Sequence, residues 1–319
     1  MDAYRLGVSR TAWAVVSAVA LWMLTPVPAC ADEPLFGYTY TTDLLPKGKF
    51  EVEQWSTTRF TKAHGSFWLQ EGRSEVEYGL TDRLQVSLYA NYAFTHANHN
   101  AVDGTTTPPE TFAGPLFNPN AAFDGKKYVG TSLEAIYRLT SPYEHPLGVA
   151  LYFEPTIGQG LREYESKLIL QKNFRDDRLV LGFNATVAQE RRWLEGDSTA
   201  GSGSADSVSH WDHETDINLS GGATYRFARS WSAGLEFMNE REFSSFAFWN
   251  SDDATNSAYD VGPVVHYGGR HFFVTVTALK QLPWASDFTK PPSNVLLGGR
   301  TYADDFERYR ARVRFGWYW

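Results

Sequence analysis

The sequence holds a single cysteine, Cys30, in 319 residues, so no disulfide within the chain can brace the fold. It has no basic excess: 29 Lys and Arg against 37 Asp and Glu leave a net charge of −8. That balance excludes a surface built to hold the phosphates of a nucleic acid. After residue 31 it has no long apolar run, so nothing beyond that point can cross a bilayer as a helix. No Gly-rich phosphate loop opens a helix, no Gly-x-Ser-x-Gly motif occurs, and no long amphipathic helix can be drawn; no cofactor is expected, and no enzyme activity. What the chain does have is 43% hydrophobic and 15% aromatic residues, too much apolar surface for a disordered chain.

The one long apolar run, Thr11 to Pro28, follows Arg5 and Arg10 and ends in Ala29-Cys30-Ala31, the layout of a secretory signal peptide. Cleavage near Ala31 removes Arg5, Arg10 and Asp2 and leaves a cysteine-free, exported chain that is more acidic by one charge. Cys30 has a second reading as a lipid-modified residue, which Pro28 disfavours.

From residue 49 the hydrophobic period is two. In Leu84 to Phe94, the residues Leu84, Val86, Leu88, Ala90, Tyr92 and Phe94 share one face, and Gln85, Ser87, Tyr89 and Asn91 share the other. Segments of this kind recur at about 49–61, 66–80, 83–95, 127–139, 147–158, 163–174, 179–192, 214–227, 231–242, 257–267, 271–282 and 306–319. The fold class expected is all-β: a single transmembrane antiparallel up-and-down β-barrel of about twelve strands, spanning 49–319. A soluble β-sandwich also alternates, but its loops lack the asymmetry seen here. Short polar turns at Thr81-Asp82, 175–178, 228–230 and 268–270 alternate with long connections at 96–126, 193–213, 243–256 and 283–305. Short turns on one rim and long loops on the other suit the periplasmic and extracellular ends of an outer-membrane barrel. Phe60, Trp68, Phe94 and Trp193 near one rim, and Tyr78, Trp231, Phe315 and Trp317 near the other, are candidates for interfacial aromatic girdles. Residues 32–48, ahead of the first strand, lie in the periplasm or enter the lumen.

The chain ends with Tyr309, Ala311, Val313, Phe315, Trp317 and Trp319 on one face. This terminus resembles that of bacterial outer-membrane β-barrel proteins, where such a strand is the signal read by the barrel-assembly machinery. The resemblance implies the same role for Phe315, Trp317 and Trp319, a Gram-negative outer-membrane location, and lipid and lipopolysaccharide as neighbours. Phe36-Gly-Tyr-Thr-Tyr, Leu45-Pro-Lys-Gly48, Phe50-Glu-Val-Glu-Gln-Trp55 and Tyr78-Gly-Leu-Thr-Asp-Arg83 also resemble an uncharacterised, porin-like family of proteobacterial outer-membrane proteins. That resemblance implies no activity.

The same alternation places Arg308, Arg310, Arg312 and Arg314 on the inner face of the last strand, a ladder of permanent cations. Glu51, Glu53, Glu75, Glu77, Glu134, Glu163, Glu165, Glu236 and Glu240 also point inward and form an acidic wall. Two functions follow from these faces. Opposed walls favour passage of small polar or charged solutes through a narrow lumen; alternatively, the charges are a salt-bridged filling of a closed barrel that serves as a structural or surface-interaction protein. A hydrolase is third, since no nucleophile and base pair stands out. For a metal the weak candidate is His210-Trp-Asp-His213-Glu214, read as a solvated loop with no defined geometry.

Overall fold

A computed structural model describes residues 34–112, 117–196, 207–285, 294–303 and 306–319. The apolar run read as a signal peptide, and the cleavage expected near Ala31, lie outside these residues. The described chain forms β1 (Phe50–Phe60), β2 (Ser66–Thr81), β3 (Leu84–Asn98), β4 (Phe123–Thr140), β5 (Gly148–Gly158), β6 (Leu161–Phe174), β7 (Leu179–Leu194), β8 (His210–Ala228), β9 (Trp231–Phe243), β10 (Ala254–Gly268), β11 (Phe272–Gln281), β12 (Asn294–Leu297), β13 (Arg300–Ala303) and β14 (Tyr309–Tyr318). Twelve of these, β1 to β11 and β14, close an antiparallel barrel, and β12 and β13 form a separate hairpin.

Each barrel strand pairs with its sequence neighbour, and the last closes on the first from Glu51 opposite Tyr318 to Phe60 opposite Tyr309. Closure removes both edges, which is the condition for a sheet to sit in hydrocarbon. The alternation of side chains sets which face meets which solvent. On β3, Gln85, Ser87, Tyr89 and Thr95 are buried inside, while Leu88 and Phe94 are exposed outside. All eight girdle candidates point outward and are exposed. Among them Trp317 stacks on Phe272, Trp231 meets Tyr267 edge-on, and Trp193 meets Trp211 likewise.

The strand bounds agree with the periodicity to within four residues; β1, β11 and β14 are shorter than the segments read from the sequence, and others are longer. β3, β4, β7 and β8 continue as paired ribbons past the segments read from the sequence. His210–Glu214 is therefore strand rather than loop: His210 pairs with Leu194 and Glu214 with Glu190. The β12–β13 hairpin inside the 283–305 connection is an addition to the twelve expected strands. It turns at Gly298 and Gly299, whose φ values of 57° and 75° suit the tight hairpin turn that two successive glycines permit.

Candidate functional site

The inner wall is where the polar halves of the strands converge, and residues 34–45 lie inside it. This segment makes no strand ladder, bends at Phe36 to Tyr38 and at Thr42, and takes its partners from the ends of β3, β6, β7, β9 and β11 nearer the short turns. Its backbone is held by side chains of successive strands. Leu45 N donates to Gln85 Oε1 of β3 (2.8 Å) and Thr42 N to Gln171 Oε1 of β6 (2.6 Å). Asn184 of β7 both accepts from Tyr40 N (2.6 Å) and donates to Tyr40 O (3.0 Å). Glu236 of β9 accepts from the N–H groups of Gly37, Tyr38 and Thr39, each at 2.9 Å, and from Thr277 Oγ1 at 2.6 Å. Thr275 of β11 donates to Pro34 O. A segment without a ladder inside a barrel must have its peptide groups satisfied by something, and here glutamate and amide side chains do it.

Apolar contacts hold the same segment. Leu44 packs into a group formed by Ile136, Ala150, Tyr152 and Ile169, and Phe36 into one with Val180 and Val264. Gly222 makes the second possible, because a Cβ there would sit 2.4 Å from the Phe36 ring. Pro46 to Lys49 turn the chain into β1, with Gly48 N donating to Gly79 O. Of the two placements the sequence allows for this segment, the lumen is the one found for residues 34–45. Burial raises the Asp43 carboxyl above its ordinary pKa, against the hydrogen bonds of Gln171 and Tyr143 and the charge of Arg138.

Of the four arginines, Arg310, Arg312 and Arg314 lie on β14, with Arg310 and Arg314 buried, and much of their charge is neutralised. Arg314 pairs with Glu53 through two contacts of 2.5 and 2.7 Å and stacks over Trp55 at 4.0 Å. Arg310 is 1% exposed and reaches across three strands to Glu240 (2.5 and 3.0 Å), with Asp260 at 3.5 Å. Arg312 instead holds residues 34–48: its guanidinium donates to Gly37 O at 3.0 Å and Thr57 Oγ1 at 2.8 Å and lies 4.0 Å from the Tyr38 ring. Arg308 precedes β14 and covers the Tyr302 ring of the small hairpin at 4.4 Å.

The carboxylates divide in the same way. Glu51, Glu53, Glu75, Glu77, Glu134 and Glu236 are buried on the inner face; Glu163, Glu165 and Glu240 are partly open to the lumen. Glu134 accepts from the Tyr89 hydroxyl, and Lys167 bonds Glu165 at 3.0 Å while covering the rings of Tyr40 and Tyr152. Phe315, Trp317 and Trp319 point out to lipid level, with Trp319 against Phe50.

At the other rim two connections fold inward. Phe112 of the β3–β4 connection packs on Phe67, Leu69, Ala93 and Ala97 from inside, and Glu110 beside it pairs with Arg192 at 2.9 Å. Phe306 and Ala303 of the β11–β14 connection pack on Ala258. His210 and His213 do not converge. Three residues apart in a strand, they face opposite sides; His210 bonds Val208 O and His213 stands edge-on to Phe246. The metal candidate is corrected accordingly.

Over residues 28–319 the sequence matches one family along nearly its whole length. The chain belongs to DUF6662, a family of unknown function. No curated protein matches it. Among solved structures, the COG4313 outer membrane channel from Pseudomonas putida F1 is similar with a TM-score of 0.55 at 11% identity, covering 87% of this chain and 98% of that one. The NanC porin (TM-score 0.46, 9% identity, 84% and 98% covered) and the translocator domain of the autotransporter NalP from Neisseria meningitidis (0.45, 9%, 96% and 94%) are more distant. The likeness is one of fold, that of bacterial outer-membrane β-barrels.

In this DUF6662 member the sequence alone does not single out the residues that grip 34–48: Gln85, Gln171, Asn184 and Trp55. Trp55 shares the odd-numbered face of β1 with Glu51 and Glu53, and that parity is the signal that places it inside. Arg73, 5.4 Å from the Trp55 and Tyr89 rings and paired with Glu154 at 3.6 Å, is a further inner residue absent from the expected ladder; it sits between Glu71 and Glu75 on the inner face of β2.

Proposed function

We propose that this is an outer-membrane channel for small polar or charged solutes that rests with its lumen occupied by residues 34–45. The observation that carries this reading is how that segment is held. It is bound by side-chain caps and two apolar contacts rather than by a strand ladder, so it can leave without breaking the barrel. The wall it leaves behind carries carboxylates, amides and arginines, which suits hydrated solutes and not a lipid-like cargo. The chain is assigned no enzymatic role. It is exported by the signal peptide, inserted through its C-terminal strand by the barrel-assembly machinery, and surrounded by lipid and lipopolysaccharide, with the short turns in the periplasm.

The test is solute efflux from liposomes holding the full-length protein, a deletion of residues 34–45, and the same deletion with Arg312→Glu. The deletion should pass small ions and sugars, and Arg312→Glu should shift its ion preference toward cations. A deletion variant that folds and passes nothing would favour the closed structural barrel.

A further inference from the structure

On the outer face of β6, β7 and β8, near the long connections, the register sets Arg162 directly opposite Arg191, and Arg191 directly opposite His213. Both arginines are exposed. Like charges facing each other across a ladder destabilise it. Among the described residues no carboxylate pairs with either guanidinium: Arg162 donates to Gly158 O and Leu161 O, both at 2.6 Å, and Arg191 lies 5.3 Å from the Phe246 ring. The chain as a whole carries a net charge of −8, so an unpaired basic row on its outer face runs against the overall balance.

Aromatic groups frame the row. Toward the loops Trp193 and Trp211 meet edge-on at 5.5 Å, and toward the middle of the barrel Tyr164 is exposed. Unlike the two connections that fold inward, the β9–β10 connection is laid over the outer face. Thr215 Oγ1 donates to Ser245 O at 2.8 Å and Gln189 Nε2 to Phe246 O at 3.3 Å, which brings Phe246 against Arg191 and His213 and leaves Trp249 exposed beside Phe248. Further from the loops the same face continues as Leu168, Leu181, Phe183 and Leu219, all exposed. Cations and aromatic rings at the end of an apolar face belong at the level of lipid headgroups.

We infer that Arg162, Arg191 and His213 bind a phosphate of lipopolysaccharide, a phosphorylated sugar lipid, on the outside of the barrel. Guanidinium groups present planar, paired donors that match phosphate oxygens, and a phosphate between Arg162 and Arg191 removes the repulsion across their ladder. The rings of Trp193, Trp211 and Trp249 suit the faces of the sugars, and the apolar face beyond Tyr164 suits acyl chains. The inference rests on the proposed placement of the long connections outside the cell and not on the channel reading.

Full-length protein, folded in detergent without divalent cations, is offered lipid A, dephosphorylated lipid A or phosphatidylglycerol, and the bound lipid is counted by native mass spectrometry. The wild type should retain lipid A. Arg162→Ala with Arg191→Ala should weaken that retention about tenfold or more, in protein whose heat-modifiable gel mobility reports a folded barrel. Lys126→Ala with Lys280→Ala, which removes exposed outward cations of β4 and β11, should leave it unchanged. Equal retention by the Arg162/Arg191 variant, or equal retention by the wild type of the dephosphorylated lipid or of phosphatidylglycerol, would overturn the inference. The orientation is checked separately with Val102→Cys, exposed in the β3–β4 connection: a bulky maleimide polymer that cannot cross the outer membrane should label it on intact cells. No labelling would put the basic row in the other leaflet and overturn the inference, while leaving the channel reading to its own efflux test.

Discussion

Glu236→Ala is the perturbation that most directly loosens the segment in the lumen. Glu236 accepts three consecutive backbone N–H groups, those of Gly37, Tyr38 and Thr39. A hydrogen bond to a charged group contributes about 1.5–3 kcal/mol net of the water it replaces. Three bonds sharing one carboxylate are not additive, so their joint contribution is about 3–6 kcal/mol. At about 1.4 kcal/mol per decade, removing them shifts the balance between seated and released segment by roughly 10²–10⁴ toward release. Gln at the same position keeps one acceptor oxygen and should give a smaller shift. The assay is limited proteolysis of residues 34–48 in lipid vesicles, run beside conductance in a planar bilayer. Glu236→Ala should be cleaved faster and open more often than the wild type, with Glu236→Gln between them. Unchanged cleavage and unchanged conductance in a folded Ala variant would refute the argument that these caps hold the segment.

Further outcomes follow from the same contacts. Gly222→Leu drives side-chain atoms into the Phe36 ring, which a Cβ alone would approach to 2.4 Å; it should release the segment as Glu236→Ala does, seen as faster proteolysis at unchanged barrel stability. Arg314→Met leaves Glu53 buried beside no guanidinium and should cost about 3–5 kcal/mol in urea unfolding from vesicles; adding Glu53→Gln should recover most of it, and additive costs in the double variant would contradict the pairing. Asp43 has a raised pKa when the segment is seated, set by burial. The seated state therefore takes up a proton more readily than the released one, so seating is favoured at low pH and weakens as pH rises from about the ordinary value of 3.8 through the raised one. Proteolysis followed across that range should accelerate with pH in the wild type and be flatter in Asp43→Asn.

The barrel is legible in the sequence because its strands keep strict period two with aromatic ends, as in Leu84 to Phe94. The same parity assigns Arg310, Arg312 and Arg314 to the inner face. What parity does not carry is the partner of each inward group. Arg310 meets Glu240 three strands away, and nothing local in either segment encodes that meeting. Residues 34–48 show no period because their peptide groups are satisfied by Glu236, Asn184 and Gln171 from distant strands, a pattern that exists only once the barrel closes. The His210–Glu214 stretch misleads for a related reason: its Gly, Ser and Asp-rich approach signals a loop, while pairing with β7 carries the ribbon on. The β12–β13 hairpin is within reach of the sequence, since Leu297-Gly-Gly-Arg300 is a hairpin turn signal between apolar residues.

The central claim is that residues 34–45 close a lumen that otherwise conducts, and a reversible tether tests it. A Cβ built at Gly182 of β7 lies 2.9 Å from Thr39 Cγ2, so Thr39→Cys with Gly182→Cys brings two sulfurs within bonding reach. Single-channel recording of that variant, oxidised and then reduced, with the 34–45 deletion alongside, should give silence when oxidised, openings after reduction, and sustained conductance in the deletion. Openings in the oxidised protein, or silence in both the reduced protein and the deletion, would contradict the account.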